Sequence, residues 1–251
     1  MTTARLGINI DHVATLRQQR GEEYPSMALA ARTVLENGAD QITIHLREDR
    51  RHIQDADVPV VKKICDEFSQ PLNFEMGCHP EIIKLAIKTS PAWVCLVPEK
   101  REERTTEGGL DLIDPDNFRR VREATEKIRK EGIMVSLFVE ADLATLEKAN
   151  ELGVEAVEIH TGDYARDFQD GRNLTPHLEK FYEAKNYLDK YEIGCHAGHG
   201  LTDLSTETLL KNKLFVEYNI GHWIICQSVF EGLGRTTEKL VDLFKKYPVE
   251  E

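Results

Sequence analysis

The sequence predicts an α/β protein whose single domain, residues 1–251, is a (β/α)8 TIM barrel with extra helices. Three observations support this fold. Apolar or β-branched runs recur eight times, segments with helical spacing lie between most of them, and the alternation fills about 250 residues, the usual length of such a barrel. No stretch rich in Pro, Gly or Ser divides the chain, so we expect one domain rather than two.

Eight short segments are predicted strands because each is apolar or rich in β-branched residues. In chain order they are Leu6–Ile10, Gln41–Leu46, Pro71–Met76, Trp93–Val97, Met134–Val139, Ala156–His160, Glu192–Cys195 and Phe215–Ile220. An open doubly wound sheet is the main alternative, but it usually carries a GxGxxG turn after its first strand. Here the first strand runs into Asn9-Ile10-Asp11-His12, so a barrel is favoured.

Five of the segments between the strands place apolar residues at helical spacing. Glycines at 38, 132 and 153 follow three of them, as expected where a helix ends before the next strand. The stretch Ala165–Lys190 is longer than a simple connection needs and predicts an extra helix. The five predicted helices are Ala28–Glu36, Val58–Phe68, Pro80–Lys88, Asp116–Lys130 and Leu143–Leu152.

Composition excludes several classes of partner. The net charge of −12 argues against nucleic acid or an anionic membrane, because both repel an acidic protein. The residues before Gly7 lack the apolar run of a signal peptide, and no segment approaches the roughly 18 apolar residues of a membrane span. The five cysteines are scattered and form no CxxC pair, which is typical of reduced thiols. We therefore expect a cytoplasmic protein.

Polar and apolar residues alternate within four predicted strands, and successive strand residues point to opposite faces. If the apolar face meets the helices, the polar face lines the barrel. Each polar residue alone is more often a satisfied structural group than a catalyst. Together they predict a cavity at the carboxyl ends of the strands, where burial and mutual charge favour proton transfer. The residues expected there are Asp11, His45, Glu75, Glu158 and His160.

Two glycine-containing segments follow the seventh and eighth strands, where TIM barrels commonly bind phosphate. They are Ala197-Gly198-His199-Gly200-Leu201 and Asn219-Ile220-Gly221-His222. The segment His45–His52 adds three arginines and two histidines in an otherwise acidic protein. We favour an anion clamp there, since arginine holds phosphate oxygens in a planar fork. The alternative is a solvated helix start with charge pairs.

The segment Pro98–Gly109 is too charged for the core and ends in paired glycines, so it is interpreted as a lid; a surface loop without function is the alternative. Cys195, His196 and His199, with His160, raise the question of a metal site. A sharp glycine turn separates the two histidines of that segment, and we favour a site without metal.

Seven segments in fixed order resemble the pyridoxine 5′-phosphate synthase family, and the resemblance spans Gly7 to about Leu233. It implies a transferase that condenses 1-deoxy-D-xylulose 5-phosphate with 3-amino-2-oxopropyl phosphate to give pyridoxine 5′-phosphate, phosphate and water. It also implies no metal or organic cofactor, and assembly as a homo-octamer. The segments are Gly7–His12, His45–His52, Leu96–Arg101, Thr105–Gly109, Glu158–Gly162, Ala197–Leu201 and Asn219–His222.

The resemblance also implies residue roles. His45 and Glu75 match proton acceptors, His199 matches the proton donor and Glu158 a transition-state stabiliser. His196 stands where the family pattern has Asn. The contacts to deoxyxylulose phosphate fall on Asp11, His12, Arg47, His52 and Thr105, and those to the amino ketone phosphate on Asn9, Arg20, Gly200, Gly221 and His222.

Two other functions stay open from the residues alone. A sugar-phosphate isomerase or epimerase would share the phosphate loops but need only one two-base site. A non-catalytic sensor of phosphorylated ligands could keep the barrel without turnover.

Overall fold

The computed structural model of the protein describes residues 2–100, 103 and 108–249. Eight parallel strands pair in chain order and close into a barrel, and eleven helices in the described residues follow or surround them. A two-residue antiparallel pair, β1 (Thr2–Thr3) with β10 (Pro248–Val249), joins the two ends of the described chain. The predicted TIM barrel is confirmed.

The barrel strands agree with the predicted segments to within a few residues. They are β2 (Arg5–Asn9), β3 (Gln41–His45), β4 (Leu72–Met76), β5 (Trp93–Leu96), β6 (Met134–Val139), β7 (Ala156–His160), β8 (Gly194–Gly198) and β9 (Glu217–Ile220). The seventh predicted strand, Glu192–Cys195, was placed too early. Glu192 has a φ of +57°, so the chain is still turning there after the preceding helix.

The helices include the five predicted ones, each within one residue of its predicted bounds. Two helices, α7 and α8, cover most of the long stretch for which one extra helix was predicted. The bounds are α1 (Asp11–Gln18), α2 (Met27–Glu36), α3 (Asp57–Glu67), α4 (Pro80–Thr89), α5 (Pro115–Lys130), α6 (Leu143–Glu151), α7 (Gly162–Gln169), α8 (Thr175–Lys190), α9 (Asp203–Lys211), α10 (His222–Glu231) and α11 (Leu233–Lys245).

Helix α2 shows how the local sequence sets these bounds. Ser26 precedes the helix, and its hydroxyl accepts a hydrogen bond from the N–H of Leu29 at 3.3 Å. Ala30 and Val34 recur at helical spacing and are buried against the barrel. Gly38, with a φ of +93°, turns the chain out of the helix. Burial of one valine side chain contributes about 1.5–3 kcal/mol.

The main apolar core lies between the barrel and its helices, as the alternation predicts. Ile42, Ile44 and Phe74 point outward and are fully buried there. The inner face of the same strands is polar, with Thr43 paired in register to Asn73 and His45 to Glu75. Most TIM barrels fill this space with branched aliphatic residues. The polar residues of this interior therefore need partners within it.

Within the described residues no helix is both long and apolar enough to cross a membrane.

Candidate active site

Three acid–base side chains meet at the carboxyl ends of β2, β3 and β4. Asp11, His45 and Glu75 each place one oxygen or nitrogen atom within 4.8 Å of the other two. The strand register explains the meeting, because His45 and Glu75 are direct neighbours on β3 and β4. Within the described chain this is also the one group with the donor atoms and spacing of a metal site.

Asp11 connects the first two barrel strands. Its Oδ1 accepts a hydrogen bond from the backbone N–H of His45 at 2.8 Å, and its Oδ2 accepts one from Asn9 Nδ2 at 2.9 Å. Burial raises the pKa of Asp11 to about 6, although His45, Asn9 and Arg47 act in the opposite direction. A carboxyl with this pKa changes charge close to neutral pH, and it also fixes the position of His45 and Asn9.

Glu75 and a further carboxyl, Glu158, have pKa values that burial raises. Burial, followed by the charges of Glu158 and Asp11, raises the pKa of Glu75 well above its ordinary value. Burial also raises the pKa of Glu158 to about 8; a hydrogen bond from Asn219 lowers it, and the charge of Glu217 raises it. Interacting buried carboxyls retain protons to a higher pH than exposed ones. The pair can therefore release and regain a proton near neutral pH.

Asn219 orients Glu158 and is a site residue that the sequence alone did not identify. Its Nδ2 donates to Glu158 Oε2 at 2.8 Å, and its Oδ1 accepts from Thr43 Oγ1 at 2.9 Å and from Gln41 Nε2 at 3.2 Å. Because Oδ1 receives two donors, the amide is held with its nitrogen towards Glu158. The signal was present in the sequence, since Asn219 is polar beside the apolar Ile220 of β9.

Gly198 leaves room for Glu158. A Cβ atom at position 198 would lie 1.9 Å from Glu158 Oε1. No side chain can occupy that position unless the carboxyl group moves. The glycine predicted as part of a phosphate loop thus also determines where the buried carboxyl lies.

Four imidazole rings form a row along one side of the mouth. The ring of His12 lies 5.0 Å from that of His222 and 6.3 Å from that of His52, and the rings of His52 and His45 are 6.1 Å apart. Burial, then His45 and His12, lowers the pKa of His52 to about 4. Its Nδ1 accepts the N–H of Ile53 at 2.9 Å, so the neutral ring carries its proton on Nε2. Within the row, His52 therefore offers an N–H donor without adding positive charge.

Arg47 is the arginine that the structure leaves for an anion. It is half-buried, its Nε has no hydrogen-bond partner, and the nearest carboxylate oxygen, on Asp49, is 3.7 Å away. Arg50 instead binds Asp55 through Nε at 2.9 Å and Nη2 at 3.0 Å, and Arg51 binds Asp49 at 2.8 Å. The predicted clamp of three arginines is therefore reduced to Arg47.

His199 lies at the mouth on the loop after β8. It has a φ of +81°, and Thr161 Oγ1 lies 2.8 Å from the carbonyl oxygens of both Gly198 and His199. The ring of His199 is 5.2 Å from that of His160. Desolvation of the His199 ring, followed by the charge of His160, lowers the pKa of His199. Thr161 is a second positioning residue that the sequence did not identify, because its partners lie on another loop.

The remaining predicted residues lie in different places. Gly200 is exposed beside His199, and Gly221 and His222 form the start of α10, which has no side-chain cap. Arg20 is exposed on the loop after α1. Among the described residues, its side chain takes no part in the hydrogen bonds of the site. Thr105 and half of the predicted lid, residues 101–102 and 104–107, lie outside the described residues.

The residues considered for a metal do not converge. Cys195 is buried in the outer core, whereas His196 points inward and its Nδ1 lies 3.2 Å from Glu217 Oε1 near the base of the barrel. His199 is at the opposite end, at the mouth. The structure thus separates the ligand set that the sequence segment suggested.

The chain is similar to known proteins over nearly its whole length. Residues 6–246 match the model of the family described as pyridoxal phosphate biosynthesis protein PdxJ. Pyridoxine 5′-phosphate synthase from Photobacterium profundum is 43% identical over 94% of both chains. The proteins of the same name from Ehrlichia chaffeensis and a Caulobacter species are 42% and 41% identical, over 96% and 94% of both chains respectively.

Two solved structures with the same fold are far less similar in sequence. Thiamine phosphate pyrophosphorylase from Pyrococcus furiosus superposes with a TM-score of 0.62 at 14% identity, covering 97% of this chain and 96% of that one. A mutant tryptophan synthase α-subunit from Pyrococcus furiosus gives 0.63 at 12%, covering 98% and 100%. These two support the barrel alone, whereas the full-length matches above identify the family. The chain belongs to the PdxJ family of pyridoxal phosphate biosynthesis proteins.

Proposed function

We propose that the protein condenses 3-amino-2-oxopropyl phosphate with 1-deoxy-D-xylulose 5-phosphate and releases pyridoxine 5′-phosphate, inorganic phosphate and water. One observation carries the proposal: buried carboxyls with raised pKa values lie beside histidines at a mouth that also holds anion-binding groups. The relatives named pyridoxine 5′-phosphate synthase, all of similar length, support the same reaction.

The two phosphates would occupy different parts of the mouth. Deoxyxylulose phosphate would bind beside Arg47, with Asp11, His12 and His52 as further contacts. The unpaired Nε of Arg47 and the N–H groups of the neutral histidines suit its phosphate and hydroxyl oxygens. The family pattern adds Thr105 to this set.

The amino ketone phosphate would bind at the loops after β8 and β9. The N–H groups at the start of α10 receive no side-chain cap, and a helix N-terminus favours an anion. Gly221 and His222 lie at this helix start, and Gly200 lies on the neighbouring loop. Asn9 and Arg20 complete the proposed set by analogy with the family.

The reaction needs several proton transfers, and the site offers several groups for them. Imine formation releases one water, elimination releases phosphate, and ring closure is followed by loss of a second water. We assign proton acceptance to His45 and Glu75, and proton donation to His199. Glu158 would stabilise the cationic nitrogen of the iminium species. An isomerase would need only one two-base site, so this larger inventory favours the condensation.

Family membership also leads us to propose a cytoplasmic homo-oligomer, an octamer by analogy. Two neighbouring apolar residues of α10, Val229 and Phe230, are 70% and 84% exposed, and a second copy of the chain would cover them. Light scattering of the purified protein measures the assembly directly.

Product analysis with both substrates tests the reaction. The proposal predicts pyridoxine 5′-phosphate and one phosphate per turnover, only when both substrates are present, and no product from the Glu75→Gln variant. An isomer formed from one substrate alone would support an epimerase. Binding of both phosphates without turnover would support a sensor.

A further inference from the structure

Glu99 lies at the start of the segment Pro98–Gly109, three residues after β5, and its side chain is only 4% exposed. Its Oε2 accepts the backbone N–H of Glu48 at 2.7 Å, and its Oε1 accepts that of Gly77 at 3.1 Å. The same Oε1 lies 3.3 Å from His45 Nε2. One buried carboxyl therefore joins the loops after β3 and β4 to the ring of a proposed proton acceptor.

This carboxyl group is ionised at neutral pH. Burial opposes its ionisation, but the hydrogen bonds from His45, Glu48 and Gly77 outweigh burial and hold the pKa of Glu99 below its ordinary value. A carboxylate can only accept hydrogen bonds, so His45 Nε2 must carry a proton when it faces Glu99. In the neutral ring Nδ1 is then the nitrogen with the free lone pair.

We propose that Glu99 is the positioning residue for His45: its carboxylate fixes the Nε2–H tautomer and the ring orientation, so that Nδ1 is the atom that accepts the proton. The backbone of His45 is held separately by Asp11, at 2.8 Å from its N–H. Backbone and ring are thus held by two different carboxyls. The inference rests on the proposed function for the direction of proton transfer, but the tautomer itself does not depend on it.

The absence of a side chain at Gly77 leaves the space that the Glu99 carboxylate occupies, which supports its position beside His45. A Cβ atom at position 77 would lie 3.1 Å from Glu99 Oε1 and 3.2 Å from its Cδ and Cγ atoms. The φ of Gly77 does not lie in the left-handed region, so alanine fits the backbone there. Alanine would force the Glu99 side chain to shift by a few tenths of an ångström and so weaken its hydrogen bonds.

The test substitutes Glu99 with its amide. In Glu99→Gln the amide oxygen would keep the shorter bond to the N–H of Glu48, which turns the amide nitrogen towards His45 and favours the opposite tautomer. We expect kcat to fall by on the order of 10²-fold, with both KM values within about threefold. Gly77→Ala should lower kcat in the same way by a smaller factor.

A matched control is Glu103→Gln. Glu103 is buried in the same segment, and its Oε2 accepts the N–H groups of Glu99 at 2.9 Å and Lys100 at 3.2 Å. It has the same chemistry as Glu99, but its carboxylate accepts from the backbone of Glu99 and Lys100 and from Arg120. We expect this variant to keep kcat within about threefold.

A double-mutant cycle separates positioning from a structural role. If Glu99 acts through His45, Glu99→Gln should have no further effect on the residual rate of His45→Asn. An equal loss in both backgrounds, or an equal loss in Glu103→Gln, would overturn the proposal. If Glu99→Gln fails to fold, the same cycle with Gly77→Ala decides between the two outcomes.

The tautomer can be measured without turnover. In protein labelled with ¹⁵N at histidine, the ring nitrogens of His45, assigned by comparison with His45→Asn, should show a proton on Nε2 in the unmodified protein and not in Glu99→Gln. A proton on Nδ1 in the unmodified protein would refute the assignment. Failure to form pyridoxine 5′-phosphate with a correct tautomer would instead refute the proposed function.

Discussion

Gly198→Ala tests whether the position of Glu158 controls turnover. The new Cβ atom would lie 1.9 Å from Glu158 Oε1 and 2.7 Å from its Cδ atom. Ordinary contact begins near 3.4 Å, so the carboxyl oxygen must move by about 1.5 Å. The φ of Gly198 does not lie in the left-handed region, so the backbone itself accepts alanine. The perturbation therefore acts mainly on the buried carboxyl.

A movement of this size separates Glu158 from Asn219, whose Nδ2 is 2.8 Å away in the unmodified protein. Displacement of a reacting group by about 1 Å can lower a rate by on the order of 10²-fold. We expect a fall in kcat of at least this order. Overpacking of the interior should also lower the free energy of unfolding by about 1–3 kcal/mol.

Steady-state rates and urea unfolding of the same preparation measure the two effects. Gly171→Ala is the matched control, because its φ of +68° strains an alanine, and a Cβ atom there would meet nothing within 4 Å. It should lower stability by about 1 kcal/mol without lowering kcat. If Gly198→Ala turns over at the unmodified rate, the position of Glu158 does not limit the reaction and the reasoning fails.

Four other predictions follow from the site. Glu75→Gln should lower kcat by on the order of 10²–10⁴-fold with the fold intact, and near-normal turnover at every pH would refute its role. Arg47→Lys should raise the KM for deoxyxylulose phosphate more than that for the amino ketone, since a planar fork becomes a point charge; equal changes would count against a dedicated clamp. His199→Asn should lose kcat by a similar factor with binding retained, and chelators should leave the unmodified enzyme active; loss of activity on chelation with recovery on zinc addition would indicate a metal instead. Burial raises the pKa of Glu158 from 4.5 to about 8 in the folded state, so its contribution to stability is complete below pH 4.5 and is lost as the pH rises towards 8. Glu158→Gln should therefore flatten the fall in unfolding free energy between about pH 4.5 and 8.

The fold could be predicted because each of its signals is local. Alternation with a period of two marks the inner and outer faces of β2, β3, β4 and β7, and this alone placed Asp11, His45, Glu75 and Glu158 around one cavity. The error at β8 has a local cause as well. The prediction placed the beginning of a strand at Glu192 and Ile193, but these residues belong to the turn that follows α8.

The site residues that the sequence did not identify depend on contacts between distant segments. Glu99 stands in a segment rich in charge, and no sequence pattern distinguishes a carboxylate that binds His45 from one that faces water. The alternation in β9 marks Asn219 as polar, but its partner and that of Thr161 could not be predicted, since they lie 61 and 37 residues away. The pairing of Arg50, which fits the charge-pair alternative, depends on a local contact. Arg50 finds its partner only five residues away, in an exposed pair that the sequence could have suggested.

His196, which differs from the family pattern, takes part in the same interior network as Glu158. Its Nδ1 and the guanidinium of Arg5 lie 3.2 and 2.8 Å from opposite oxygens of Glu217. Burial opposes the ionisation of Glu217, but His196 and Arg5 outweigh it and lower its pKa to about 2. The resulting negative charge, after burial itself, is one of the factors that raise the pKa of Glu158.

His196 and Arg5, near the base of the barrel, thus stabilise the charge of Glu217. That charge in turn favours the protonated form of Glu158, nearer the mouth. Glu217 and Glu158 are also joined directly, because Asn219 Nδ2 lies 3.2 Å from Glu217 Oε1 and 2.8 Å from Glu158 Oε2. A shared donor means that movement of one carboxyl weakens the bond to the other. A substitution at position 196 therefore changes the charge environment of Glu158 through Glu217.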